Sequence, residues 1–166
     1  IGDATGHGVP AAVLTSAGRA SAAIIDKINR MSPAKALSIL NAAICASARG
    51  TMLMTFFMAS YDKKSRELTY SNAGHDPPYI FNFYDEKLSV KKLIPLNEVN
   101  APRLGQDVNT VFSNHRLTVE KDQAIIFYTD GLTELENSDG KQWGEMKFLK
   151  SVVKGVKTTK NTQKTV

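Results

Sequence analysis

The amino-acid sequence predicts an α+β fold built in layers. Two helical segments follow one another near the start, with no strand between them, and about six strand-like segments then come in succession before a last helix. Blocks of helices and of strands, in place of strand–helix–strand alternation, mark the α+β class. The size agrees: 166 residues, 42% of them hydrophobic and 22% charged, suffice for one domain with a real core.

Each element has its own signal. Ile1-Gly2 reads as the last of a strand, with Asp3 at its end and a glycine-rich turn after it. Pro10 suits the first position of a helix, where its missing N–H costs nothing. Leu14, Ala17 and Ile24 carry that helix to about Arg30. Ser32 as cap and Pro33 at the first position restart it, and Gly50 is placed to end it. Residues 52–61 form a dense apolar run rich in aromatics, expected as a buried strand. Asp62-Lys63-Lys64-Ser65 is a turn, and residues 67–72 alternate as the return strand of a hairpin. After the rigid loop Ala73-Gly74-His75-Asp76-Pro77-Pro78, a second strand pair is expected over 79–84 and 88–94, and two more strands over 108–118 and 124–129. A final helix is expected from Gly144 to about Val156.

Composition narrows the function classes. No apolar run approaches the roughly 18–20 residues that span a bilayer, and the start carries no signal-peptide pattern. Cys45 is the only cysteine, so no internal disulfide forms, which fits a reducing compartment and a cytoplasmic location. The net charge of +5 is local: six lysines and no acid lie from Lys147 onward. We expect a domain over 1–156 and a basic, frayed tail over 157–166. The tail lacks interleaved aromatics, so nucleic acid is not the expected partner.

Asp3 and Asp130 carry the candidate chemistry. Each follows an apolar strand and precedes a sharp turn, the second as Tyr128-Thr129-Asp130-Gly131. Hard cations such as Mg²⁺ or Mn²⁺ take carboxylates, backbone carbonyls and water, and Ala4 is placed to offer a carbonyl. The same aspartates also suit plain turn or cap roles. Gly6, Gly8 and Gly74 permit close backbone approach, but no Lys-Ser/Thr follows Gly8, so this is not a Walker loop. His7 and His75 sit in glycine turns, where imidazole serves proton transfer, substrate contact or capping.

Taken together, Gly2-Asp3-Ala4-Thr5-Gly6-His7-Gly8-Val9-Pro10-Ala11-Ala12 resembles the first metal-binding motif of bacterial metal-dependent serine/threonine phosphatases. The branch is that of the stage II sporulation and sigma-B regulator phosphatases, related to protein phosphatase 2C. Thr55-Phe56-Phe57-Met58-Ala59, Leu68 to Pro78, Leu104-Gly105, Phe127 to Glu134 and Trp143-Gly144-Glu145 follow in the family's order. The resemblance covers roughly residues 1–150.

It implies a layered αββα sandwich and a site for two Mn²⁺ or Mg²⁺ ions. Asp3 would bridge them, with the Ala4 carbonyl and Asp130 each binding one. Water activated there would attack phosphorus in line, without a covalent enzyme intermediate. Asn72, His75, His7 and Gly131 would shape the substrate loops. The implied partner is a phosphorylated regulatory protein of the anti-sigma-factor-antagonist type. The family's strands before the first motif, and its later Asp-Asp motif, do not occur in these 166 residues. We therefore expect a domain cut at both ends that binds metal weakly and is weakly active or inactive alone. Its exposed sheet edges would invite pairing into a homodimer. The alternative is a non-catalytic partner-binding domain with an incomplete metal site.

Overall fold

Pro10 lies in the first turn of a helix that starts one residue earlier, at Val9, and the elements around it follow the expected block order. The computed structural model describes residues 1–6, 8–28, 31–48 and 51–163. The elements are β1 (Gly2–Ala4), α1 (Val9–Asp26), α2 (Pro33–Ala48), β2 (Met54–Asp62), β3 (Glu67–Ala73), β4 (Tyr79–Asn82), a 3-10 turn (Val90–Lys92), β5 (Ile94–Pro95), β6 (His115–Thr118), β7 (Gln123–Ile126), α3 (Asp130–Thr133) and α4 (Glu145–Gln163). They cluster as two compact units, Ile1–Pro77 with Asn97–Val119, and Pro78–Leu96 with Glu120–Val166.

In the first unit an antiparallel sheet of order β1-β2-β3-β6 carries α1 and α2 on one face. α2 packs on β2 and β3, and α1 packs on α2 and β1. The start of α2 is capped twice. Ser32 Oγ accepts from the Lys35 N–H at 3.4 Å, and Asn114 Oδ1 accepts from the Ala34 N–H at 2.9 Å. Leu37, Leu40 and Ile44 of α2 have no exposed surface. Each contributes about 1.5–3 kcal/mol by leaving water. The strand pleat sends Met54, Phe56 and Met58 toward these helices. Register pairs Asp3 with Thr55 and Phe57 with Asn72, so these four share the opposite face. There Phe57 stacks on Tyr70 with ring centroids 5.1 Å apart. The β2–β3 turn is held by Asp62, whose Oδ1 accepts from the Lys64 N–H at 2.7 Å.

In the second unit β4 is the centre of a three-stranded antiparallel sheet, β5-β4-β7. α4 buries Phe148, Leu149, Val153 and Val156 in one core with Tyr79, Phe81, Leu88, Leu93 and Tyr128.

β4 (Tyr79–Asn82) stops short of the expected 84 and β7 (Gln123–Ile126) short of 129, and four further boundaries differ. Residues 88–94 are not a strand but lead through the 3-10 turn into the two-residue β5. Leu88 and Leu93 are both buried in the α4 core. Five positions apart, they would point to opposite faces of a strand. Of 108–118, only His115–Thr118 is strand. Asp107 diverts the chain before it: its carbonyl accepts from the Thr110 hydroxyl at 2.7 Å and from Asn41 Nδ2 at 2.8 Å. α1 ends at Asp26, while Arg30 and Gly50 lie outside the described residues. α4 runs on to Gln163, past the expected end near 156. Thr158 and Thr159 hydroxyls donate to the Lys154 and Gly155 carbonyls one turn back. Lys160 Nζ reaches the Asp85 carbonyl at 3.0 Å.

Candidate functional site

β1 is an edge strand, and its hydrogen bonding decides which groups it presents. Ile1 and Phe57 exchange both backbone bonds, at 3.0 and 2.8 Å. The Thr5 N–H donates to the Leu53 carbonyl at 2.9 Å. In an antiparallel ladder this directs odd residues of β1 toward β2 and leaves the N–H and C=O of Gly2 and Ala4 on the far edge. The Ala4 carbonyl therefore stands on the open edge, next in sequence to the exposed side chain of Asp3. Among the described residues, the Asp3 carboxylate makes no hydrogen bond or ion pair.

Behind Asp3 lies a polar link that crosses to the β3 loop. Thr55 Oγ1 sits 2.9 Å from His75 Nδ1 and 3.4 Å from the Asp3 carbonyl. One hydroxyl carries one proton, so donation to the Asp3 carbonyl requires a proton on His75 Nδ1. Asn72, 3% exposed, fixes the histidine through its backbone. Asn72 Nδ2 donates to the His75 carbonyl at 2.8 Å, and the His75 N–H donates to Asn72 Oδ1 at 2.9 Å. The turn between them needs Gly74. Its φ is +65°, and a Cβ there would meet Arg103 Cγ at 2.6 Å. Asp3, Asn72 and His75 are thus linked in one network in the first unit, with Ala4 next to Asp3 in the chain. Thr55 joins them, a role that sequence reasoning missed. The available signal was a threonine hydroxyl near the start of the apolar run of β2.

Asp130 and Gly131 belong to the second unit. Asp130 is the first residue of the one-turn α3, with extended Thr129 in the cap position before it, so it stands in a helix's first turn and does not close a strand. Its carbonyl accepts from the Glu134 N–H at 2.7 Å and the Thr133 hydroxyl at 3.2 Å. Its half-buried carboxylate is unpaired among the described residues. Gly131 beside it is exposed, and His7 lies outside the described residues.

Taken unit by unit, the donors are oxygen, the kind a hard divalent cation takes: the Asp3 carboxylate and the Ala4 edge carbonyl in the first, the Asp130 carboxylate in the second. Among the described residues no group of three or more His, Cys, Asp and Glu forms a ready cluster.

Residues 1–165 match the family described as Stage II sporulation protein E (SpoIIE). The chain belongs to the SpoIIE family. The phosphoserine phosphatase RsbU of Bacillus subtilis is 27% identical to this SpoIIE-family chain over 145 residues, 84% of the chain and 40% of RsbU. Protein IcfG of Synechocystis is 28% identical over 109 residues, 64% of the chain and 16% of IcfG. The chain thus spans at most 40% of the length of these curated relatives. The SiaA-PP2C domain of Pseudomonas aeruginosa superposes with a TM-score of 0.72 at 20% identity, covering 93% of the chain and 58% of that domain. The RsbU and RsbW domains of a Mycobacterium tuberculosis protein give 0.66 at 25% identity, covering 91% and 39%. The fold is the α+β fold of PP2C-type phosphatases, and the SpoIIE family is a phosphatase family. No helix among the described residues is long and apolar enough to cross a membrane.

Proposed function

We propose that the chain is catalytic sequence of a bacterial, metal-dependent serine/threonine protein phosphatase. Its substrate is phosphoserine or phosphothreonine on a regulatory protein of the anti-sigma-factor-antagonist type, met in the cytoplasm. The observation that carries this is the unpaired Asp3 carboxylate beside the edge-facing Ala4 carbonyl, in a chain matched end to end by a phosphatase family. Asp3, the Ala4 carbonyl and Asp130 would hold Mn²⁺ or Mg²⁺. Such ions, when bound, lower the pKa of water and offset charge on a phosphoryl group. The chain's own work is placement. Thr55 and His75 hold the strand that bears Asp3, Asn72 freezes the turn beside it, and Gly131 leaves the approach to Asp130 clear of a side chain. His7, in the glycine-rich sequence after Ala4, would contribute to the substrate loop.

Mn²⁺ titration of the 166-residue chain, alongside hydrolysis of a phosphoserine peptide, tests this. Binding is expected to be weak and turnover slow, with no turnover before Mn²⁺ is added. Asp3→Asn and Asp130→Asn should each lower both by about 100-fold or more, beyond what partners of metal ligands usually cost. Mn²⁺ binding that is absent, or indifferent to both substitutions, would favour a non-catalytic partner-binding domain instead.

A further inference from the structure

The first residue of α4 holds two tyrosines at once. Glu145 Oε1 accepts the Tyr79 hydroxyl at 2.9 Å and the Tyr128 hydroxyl at 2.9 Å. Tyr79 lies on β4 opposite Ile126 of β7, and Tyr128 is two residues further along, on the same face by the strand period. Their rings stack 6.2 Å apart at 24°, and Phe148 of α4 lies 4.7 Å from the Tyr128 ring. Tyr79 is 9% exposed and Tyr128 4%. Buried phenols need an acceptor, and a carboxylate oxygen gives both a charge-assisted bond.

The same corner grips the chain on the far side of Asp130. The Gly144 N–H donates to the Thr133 carbonyl at 2.7 Å, and the Trp143 N–H to the Leu135 carbonyl at 2.7 Å. Gly144 sits at φ +80°, in the left-handed region, which lets it point its N–H at α3 while its carbonyl starts α4. Three consecutive residues, Trp143, Gly144 and Glu145, therefore tether the segment that carries Asp130 on both sides of it. The backbone tethers depend on no side chain, whereas the upstream hold on Tyr128 runs through side chains, with the Glu145 carboxylate oxygen fixing its hydroxyl and Phe148 against its ring.

We propose that Glu145 is a positioning residue for Asp130, holding its carboxylate ready for a divalent cation by clamping Tyr128. The proposal rests on the reading of Asp130 as a metal ligand. Glu145 itself takes no part in the chemistry.

Two readouts test it on the full chain: Mn²⁺ affinity, from free Mn²⁺ by electron paramagnetic resonance, and amide hydrogen exchange across 127–135 without metal. Glu145→Ala should weaken Mn²⁺ binding about tenfold, as loss of a ligand's partner does. It should also speed exchange in that segment while β2 and β3 exchange as before. Glu145→Gln, whose amide oxygen still accepts both hydroxyls, should restore both. Tyr128→Phe, which removes one hydroxyl and keeps the ring, should act in the direction of Glu145→Ala. Added to Asp130→Ala, Glu145→Ala should cost no further Mn²⁺ affinity. Wild-type Mn²⁺ affinity in Glu145→Ala, with a loss in Asp130→Ala, overturns the proposal alone. Wild-type affinity in Asp130→Ala overturns the ligand reading and the proposal with it.

Discussion

Tyr70 has no exposed surface, yet its hydroxyl accepts only the Glu98 N–H, at 3.2 Å, among the contacts that bear on its proton. Burial pushes its pKa above the ordinary tyrosine value of 10.0; the Glu98 N–H opposes this and the Glu98 charge adds to it. A raised folded-state pKa fixes the sign. The stabilisation is complete below the unfolded value and is lost as pH rises toward the folded one. Urea denaturation should thus show stability falling above pH ~10, and Tyr70→Phe should flatten that fall relative to wild type. The substitution costs about 0.5–1.5 kcal/mol at neutral pH through the lost hydrogen bond. An unchanged slope in Tyr70→Phe would assign the alkaline fall to other groups. At this scale the candidate site was half legible. Asp3 and His75 stand out beside glycine turns and Asn72 at the end of its predicted strand, but nothing in the string says that Thr55 joins them. That contact arises only from the register of β2 against β1 and β3.

Among the elements, α2 takes the most central place in its unit, with Leu37, Leu40 and Ile44 fully buried over β2 and β3. Leu40→Ala should cost about 2–5 kcal/mol, read from the urea midpoint, with the value set by how far the site collapses. A loss under about 1 kcal/mol would mean that α2 is loosely seated. The helices and the β2–β3 hairpin were readable because their signals are local: Ser32-Pro33 caps, and the Asp62 side chain closes its own turn. The 88–94 segment was misread because Leu and Val spaced for a strand serve as well in a turn whose leucines both face a helix. The pairing of β3 with β6 was not readable at all. Some 40 residues separate them, and register is written in neither strand.

For the whole molecule, the net charge of +5 is concentrated on α4, where Lys147, Lys150, Lys154 and Lys157 are exposed along one stripe. Their side chains face solvent, away from the buried Phe148, Val153 and Val156. Replacing Lys154 and Lys157 by Glu should leave stability within about 0.5 kcal/mol of wild type. Differential scanning calorimetry checks this, and a large destabilisation would show that the stripe has a structural partner.

The two units are interleaved in the chain, which crosses between them after Pro77, after Leu96 and after Val119. Synthesis from the amino end therefore meets a waiting period. β3 leaves the ribosome long before its partner β6, and in the interval β4 and β5 emerge as part of the other unit. β4 in turn waits for β7 to reach its second edge. No single cut of the polypeptide releases either unit intact. The first unit has its last residue at Val119, and the second gains its core only once α4 has been made, so topology sets when each can close.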